Sequence, residues 1–182
     1  MKAYVAVVSC LLVVLAATGC TRNASSVKQT APERWQVDSS VVKMSPEELF
    51  ASSDAVVIGI VTGRPTAKRV PGPKTDNMPQ GEPMVVSEWT VNVKEALKGD
   101  PPSKIVVQLE GGDTPELKID MPDEARLSPG EEVFLYLNKA GDVYRVNGLF
   151  QGKYTVSANG RVTNKDANLD DTLDNLKKRG QK

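Results

Sequence analysis

Apolar residues recur with two different periods along this chain, and the switches between them divide it into elements. Residues 55–61 read AVVIGIV, apolar on both parities and rich in β-branched side chains. Such a run predicts a central strand covered on both faces, with Gly59 marking a bend or a close backbone approach. In 85–99, VVSEWTVNVKEALKG, the period is two: Trp89, Val91 and Val93 fall on one face and Glu88, Thr90, Asn92 and Lys94 on the other. That alternation predicts a half-buried strand. IVVQL at 105–109 and EVFLYL at 132–137 predict two more, set off by turn signals at Asp100-Pro101-Pro102 and Pro129-Gly130. Gly141-Asp142 leads into VYRV at 143–146, and Asn159-Gly160 between GKYTV and RVT is the strongest hairpin signal in the sequence. The second half reads as a meander.

A short helix is predicted at each end of this β-rich stretch. In SPEELFASSD, 45–54, Ser45 suits the N-cap, Pro46 the first helical position and Glu48 the N3 site of a capping box, with Leu49 and Phe50 as anchors. In NLDDTLDNLKKRG, 168–180, Leu169, Leu173 and Leu176 share a helical face, acids lead, Lys177, Lys178 and Arg179 follow, and Gly180 stops the run. Six or seven strands, mostly antiparallel, make the fold class mainly β: a small antiparallel barrel or sandwich with short flanking helices.

The first 44 residues follow neither period. Lys2 precedes an uncharged apolar run from Tyr4 to Ala17, shorter than the roughly 18 residues of a membrane span, and Ala17, Thr18, Gly19 and Cys20 close it. This pattern resembles the lipobox of bacterial lipoproteins, with Ala17 where leucine is usual. The resemblance implies a signal peptide at 1–19, cleavage before Cys20 and a diacylglyceryl group on the Cys20 thiol. An ordinary secreted chain with a free Cys20 is the alternative. Cys10 lies in the discarded run, so Cys20 would be the one mature cysteine, and no disulfide or thiolate site would remain. Residues 21–43 are polar and rich in Ser and Thr, so 20–44 is expected to be lipidated cysteine plus flexible tether, and 45–182 the β-rich globular part. Trp35 and Val37 interrupt the tether, and packing of Trp35 on the body or the lipid surface explains it more simply than a partner contact.

Charge and composition remove whole classes of chemistry. Lys plus Arg and Asp plus Glu are 23 each, and loss of Lys2 with the signal leaves 22 against 23, a net charge of −1. No excess of cations is present to neutralise a run of phosphates, so nucleic acid is not expected as a partner. The chain has no histidine, which removes Ser-His-Asp and Cys-His catalysis and His-ligated metals. Neither a cofactor nor a metal is expected. The acidic stretch 110–132 holds Glu110, Asp113, Glu116, Asp120, Asp123, Glu124, Glu131 and Glu132. Asp113, Glu116, Asp120 and Asp123 could supply some of a hard cation's oxygens, but the spacing matches no calcium loop, and a solvated connection is the simpler reading, with a carboxylate pair for hydrolysis as a further alternative. Ser-x-x-Lys at 25–28 and 40–43 lies in the tether without a Lys-Thr-Gly partner, as composition alone would produce.

Residues 63–84, GRPTAKRVPGPKTDNMPQGEPM, carry five prolines and the basic residues Arg64, Lys68, Arg69 and Lys74. They predict a long irregular connection between the first two long strands and a candidate partner-binding loop for an envelope protein or an anionic polymer. In GLFQGKY, 148–154, Phe150 and Tyr154 share parity, as core residues or as an exposed aromatic platform.

SSDAVVIGIVTG, WTVNVKEALKGD, IVVQLEGG, LSPGEEVFLYLN and YRVNGLFQGKYTV together resemble a group of uncharacterised bacterial envelope lipoproteins over about residues 47–163. The first two segments are also similar to the netrin-like barrel of tissue inhibitors of metalloproteinases, which is of the oligonucleotide/oligosaccharide-binding (OB) type. That likeness implies an OB-like barrel. It does not carry the inhibitors' activity, because that uses a free N-terminal cysteine held by disulfides, and Cys20 here has neither. The expectation is a lipid-anchored, extracytoplasmic module that binds or scaffolds without catalysis. A histidine-free hydrolase using carboxylates of 110–132 is the alternative.

Overall fold

The apolar run that begins at Ala55 becomes the centre of a mixed sheet. The computed structural model describes residues 31–72, 83–164 and 169–179. In chain order its elements are β1 (Glu33–Gln36), α1 (Pro46–Ser52), β2 (Ala55–Pro71), β3 (Pro83–Lys98), β4 (Lys104–Glu110), β5 (Gly112–Asp113), β6 (Leu117–Asp120), β7 (Glu132–Ala140) and β8 (Val143–Val146). A 3-10 turn (Leu149–Gly152), β9 (Lys153–Val156), β10 (Arg161–Asn164), β11 (Leu169–Thr172) and α2 (Leu173–Arg179) follow. The chain is mainly β, as its periods predict.

Eight strands form one sheet in the order β11-β10-β9-β7-β2-β3-β4-β8, and β8 also pairs with β7. The pairings β7–β2–β3–β4–β8 therefore return on themselves. All are antiparallel except β4 with β8, which is parallel at Val107 and Tyr144. A second sheet, β1-β6-β5, pairs β1 parallel to β6. The pairings are otherwise antiparallel, as expected, and these two parallel contacts are the exceptions. The period-2 signal shows that a strand exists but not the direction of its neighbour.

Alternation sorts the apolar side chains into two clusters. Val57, Val61, Val91, Val107, Val133, Leu135 and Leu137 meet on one side. Val56, Ile58, Phe134, Tyr136, Tyr154 and Val162 meet on the other, covered by Leu49 of α1 and Leu176 of α2. Strand β2 contributes to both, which is why its apolar residues occupy both parities. A bulge after Ile58 keeps Val61 in register, and a Cβ at Gly59 would lie 2.7 Å from the Asn92 carbonyl oxygen. The close approach expected there is present. Phe134, Tyr136 and Tyr154 pack edge to face with centroids 5.1 to 6.2 Å apart.

Helix α1 forms as its caps predict. The Ser45 hydroxyl accepts from the Glu48 amide, and the Glu48 carboxylate accepts from the Ser45 amide. At the other end Lys98 Nζ donates to the Phe50 and Ala51 carbonyls at 2.7 and 2.9 Å, meeting acceptors the helix leaves open. The C-terminal segment differs from expectation. Helix α2 starts only at Leu173, and 169–172 instead pair with β10. The open edge of β10 offers backbone partners that a first helical turn would leave unmade.

Residues 31–44 differ more. The expected tether contains β1, with Trp35 and Val37 packed against Val85, Leu117, Ile119 and Met121. Beyond it the Ser39 amide donates to Asp123, the Met44 amide to Gln151 Oε1, and Gln151 Nε2 donates to the Val42 carbonyl. Packed chain thus extends well before residue 45. Polar composition concealed this, because the strap is held by backbone pairing and by side chains supplied from elsewhere.

Gln151 is buried and supplies two of the hydrogen bonds to the strap. The substitution Gln151→Ala is expected to lower stability by about 1–3 kcal/mol and to open a protease-sensitive site in 39–45. Urea unfolding and limited proteolysis check this, and an unchanged cleavage pattern would refute the tie.

Candidate functional site

Two of the basic candidates, Lys68 and Arg69, lie on a regular ribbon rather than in an irregular loop. β2 continues to Pro71 and β3 begins at Pro83, with Thr66↔Glu88 through Pro71↔Pro83 in register. Prolines close the described ribbon at both strands, where the missing N–H is tolerated. Arg64 falls in the unpaired stretch between Thr62 and Thr66, beside Gly63 at φ +71°. Lys68 and Arg69 are consecutive strand residues and face opposite ways. Lys68 is also paired with Glu88 at 2.6 Å. Lys74 and Cys20 lie outside the described residues. Arg64, Lys68 and Arg69 therefore do not converge on one face.

A groove forms instead where the short sheet meets β3 and β4. Gly111 and Gly112, at φ +87° and +140°, turn the chain from β4 into β5. A Cβ on Gly111 would lie 2.8 Å from the Ile119 carbonyl oxygen, so only glycine allows this approach. The turn lays β5 and β6 over the ribbon, where Val85 and Ala67 pack with Leu117 and Ile119. Beside this contact is an open cavity of about 630 Å³, within the usual range for ligand pockets. Its walls include Trp35 from β1, Trp89 from β3, Glu110 at the end of β4, Lys118 and Asp120 from β6, and Glu124 and Arg126 from the connection to β7. Both tryptophans of the chain line this one groove. Each is half-buried, with Trp35 resting on the small cluster and Trp89 on the large one.

The acidic stretch is dispersed into separate ties. Asp113 pairs with Lys118, Asp123 receives the Ser39 amide, and Glu132 pairs with Lys94 at 3.0 Å. Glu131 pairs with Lys153 at 2.5 Å and receives the Ser128 amide and the Thr155 hydroxyl. Glu124 is buried, with its two oxygens accepting from the Glu110 and Ala125 amides at 3.0 and 2.8 Å. Burial, and secondarily the charge of Glu110, pushes the Glu124 carboxyl above its ordinary 4.5 against the pull of those amides. Among the described residues no three acids or cysteines are placed to hold a metal ion.

The GLFQGKY aromatics separate. Tyr154 is buried in the aromatic trio, and Phe150 sits in the 3-10 turn, half-buried, beside a second cavity of about 680 Å³ lined also by Val41, Met44 and Leu169. The turn breaks the strand parity on which their shared face was argued. Sequence reasoning missed Trp35, Arg34 and Arg126 as groove residues. Trp35 carried a signal, as the bulkiest apolar residue in a polar stretch, but nothing local tied it to Trp89. Compared with known proteins, the chain matches no family model and no curated sequence.

A raised carboxyl binds its proton more tightly in the folded chain than in the unfolded one. Its contribution to stability is therefore present below about pH 4.5 and is lost as pH rises through that value toward the raised one. Relative to Glu124→Gln, which does not titrate, the wild-type chain should lose ground as pH rises above about 4.5. Urea midpoints of both proteins at each pH test it, and a pH-independent difference would contradict the raised carboxyl.

Proposed function

We propose that this chain is a lipoprotein of the bacterial cell envelope, held to the membrane by a diacylglyceryl group on Cys20, whose β-rich part is a non-catalytic binding module. The circuit of pairings supports an OB-like barrel: three antiparallel strands, β2, β3 and β4, then β8 parallel to β4 and paired back through β7 to β2. In such barrels the second and third strands carry the binding face. Here those are β3 and β4, and they wall the groove.

The observation that carries the reading is the meeting of both tryptophans with acids and bases in one open groove. Half-buried aromatics beside convergent polar groups are what recognition sites are built from. Five of the eight acids of 110–132, Asp113, Asp123, Glu124, Glu131 and Glu132, are engaged by lysines, a hydroxyl or backbone amides rather than held free for a hydrolase. A chain whose cations and anions balance has no excess positive charge to offer nucleic acid.

Two measurements test the two halves of the proposal. Labelled palmitate should enter the wild-type protein and not Cys20→Ser, and the variant should leave the membrane fraction. Absence of label in the wild type overturns the anchor. A diazirine side chain placed at Asp120, in the groove, should capture a neighbour in living cells, discrete on a gel for a protein and broad for a polymer. The same probe at Asn159, in the β9–β10 hairpin, should capture none. Equal capture or no capture at both positions removes the groove as the binding element.

A further inference from the structure

We propose that the groove binds an uncharged polyhydroxylated chain, a glycan strand, with the indole rings of Trp35 and Trp89 as its stacking surfaces. The inference rests on the groove being the binding site and names the ligand class it takes.

Three observations select that class. The first is charge. The groove is lined by Arg34, Lys118 and Arg126 against Glu110, Asp113, Asp120 and Glu124, and two of the acids are already engaged, Asp113 by Lys118 and Glu124 by backbone amides. Neither a polyanion nor a polycation finds an unopposed field there. Sugar hydroxyls, which donate and accept at once, find both kinds of partner.

The second observation concerns strand edges. An extended peptide binds most readily by adding a strand to an open edge. Of the strands that wall this groove, the outer ones, β1 and β5, are only four and two residues long. β3 lies between β2 and β4, β4 between β3 and β8, and β6 between β1 and β5. A peptide would gain only a short ladder there and would depend mainly on its side chains.

The third is the aromatic geometry. The Trp35 indole N–H already donates to Glu33 at 2.8 Å, so its remaining offer to a ligand is the ring. The face of an indole carries negative potential and attracts the slightly positive C–H groups of a pyranose. Two such rings along an open groove suit a repeating chain better than an enclosed small molecule.

The chain holds no other tryptophan, so its intrinsic emission reports on this groove without a label. The full-length protein in detergent is titrated with soluble tetrasaccharides of glucose and of N-acetylglucosamine, and separately with polyglutamate and with a neutral peptide. At least one tetrasaccharide should shift the emission saturably below about 10 mM. Trp35→Phe and Trp89→Phe should each weaken that binding roughly tenfold, with unfolding midpoints measured alongside. Asp120→Asn, an exposed change, weakens it without touching either reporter. Saturable shifts from the peptide or polyglutamate and none from the sugars overturn the glycan assignment while leaving the groove a binding site. Silence from every probe, together with no capture at Asp120 in cells, overturns both.

Discussion

Strand β7 has two edges and serves three partners. One edge is taken by β2 from Glu132 to Leu137, and the other is divided, with β9 along Val133 to Leu135 and β8 along Leu137 to Ala140. Dividing that edge is what lets one sheet both return on itself through β8 and extend outward through β9, β10 and β11. It also obliges both faces of β7 to be buried, and Val133, Phe134, Leu135, Tyr136 and Leu137 are each 0 or 1% exposed. The inner residues fill one cluster and the outer ones the other. A polar residue anywhere in this run would face an apolar cluster with no water to satisfy it.

Much of this was legible before any coordinates, and for identifiable reasons. The run AVVIGIV announced a strand covered on both faces, SPEE announced α1, and Asn159-Gly160 announced a hairpin, because in each case the cause is local. The failures are equally physical. β1 lacks a period because its four residues are fixed by pairing with β6, more than eighty positions away, and by Trp35. The prolines of 63–84 suggested irregularity, yet Thr66 to Pro71 hold register with Pro83 to Glu88, since a two-stranded ribbon tolerates proline where no ladder bond is needed. Leu169, Leu173 and Leu176 fit a helix by spacing, and only the open edge of β10 decided that the first belongs to a strand.

The site was less legible than the fold. Acidic and basic residues drew attention by their density, but density does not say where side chains point, and the structure distributes them among local ties. Glu124 illustrates the difference. Counted in sequence it is one acid among eight; in the fold it holds the connection to β7 against the end of β4 by receiving two backbone amides. What brings the groove together is a three-way meeting of β1, β3 and the 110–128 connection, and no window of neighbouring residues contains it.

The strap that begins with β1 also sets a leash. Were Cys20 the membrane anchor and the chain free to Ser45, the body could stand off by at most roughly 90 Å, from about 3.6 Å per residue. With Glu33 seated against β6, the contour between Cys20 and the body would end there, and the upper limit would fall to roughly 45 Å. Because the reachable volume scales with the cube of that limit, halving it would confine the body to about one-eighth of the space and would raise its effective concentration toward anything near the bilayer by about the same factor. Trp35 lies two residues beyond Glu33, so under such an anchor the chain would meet the groove at its first described strand.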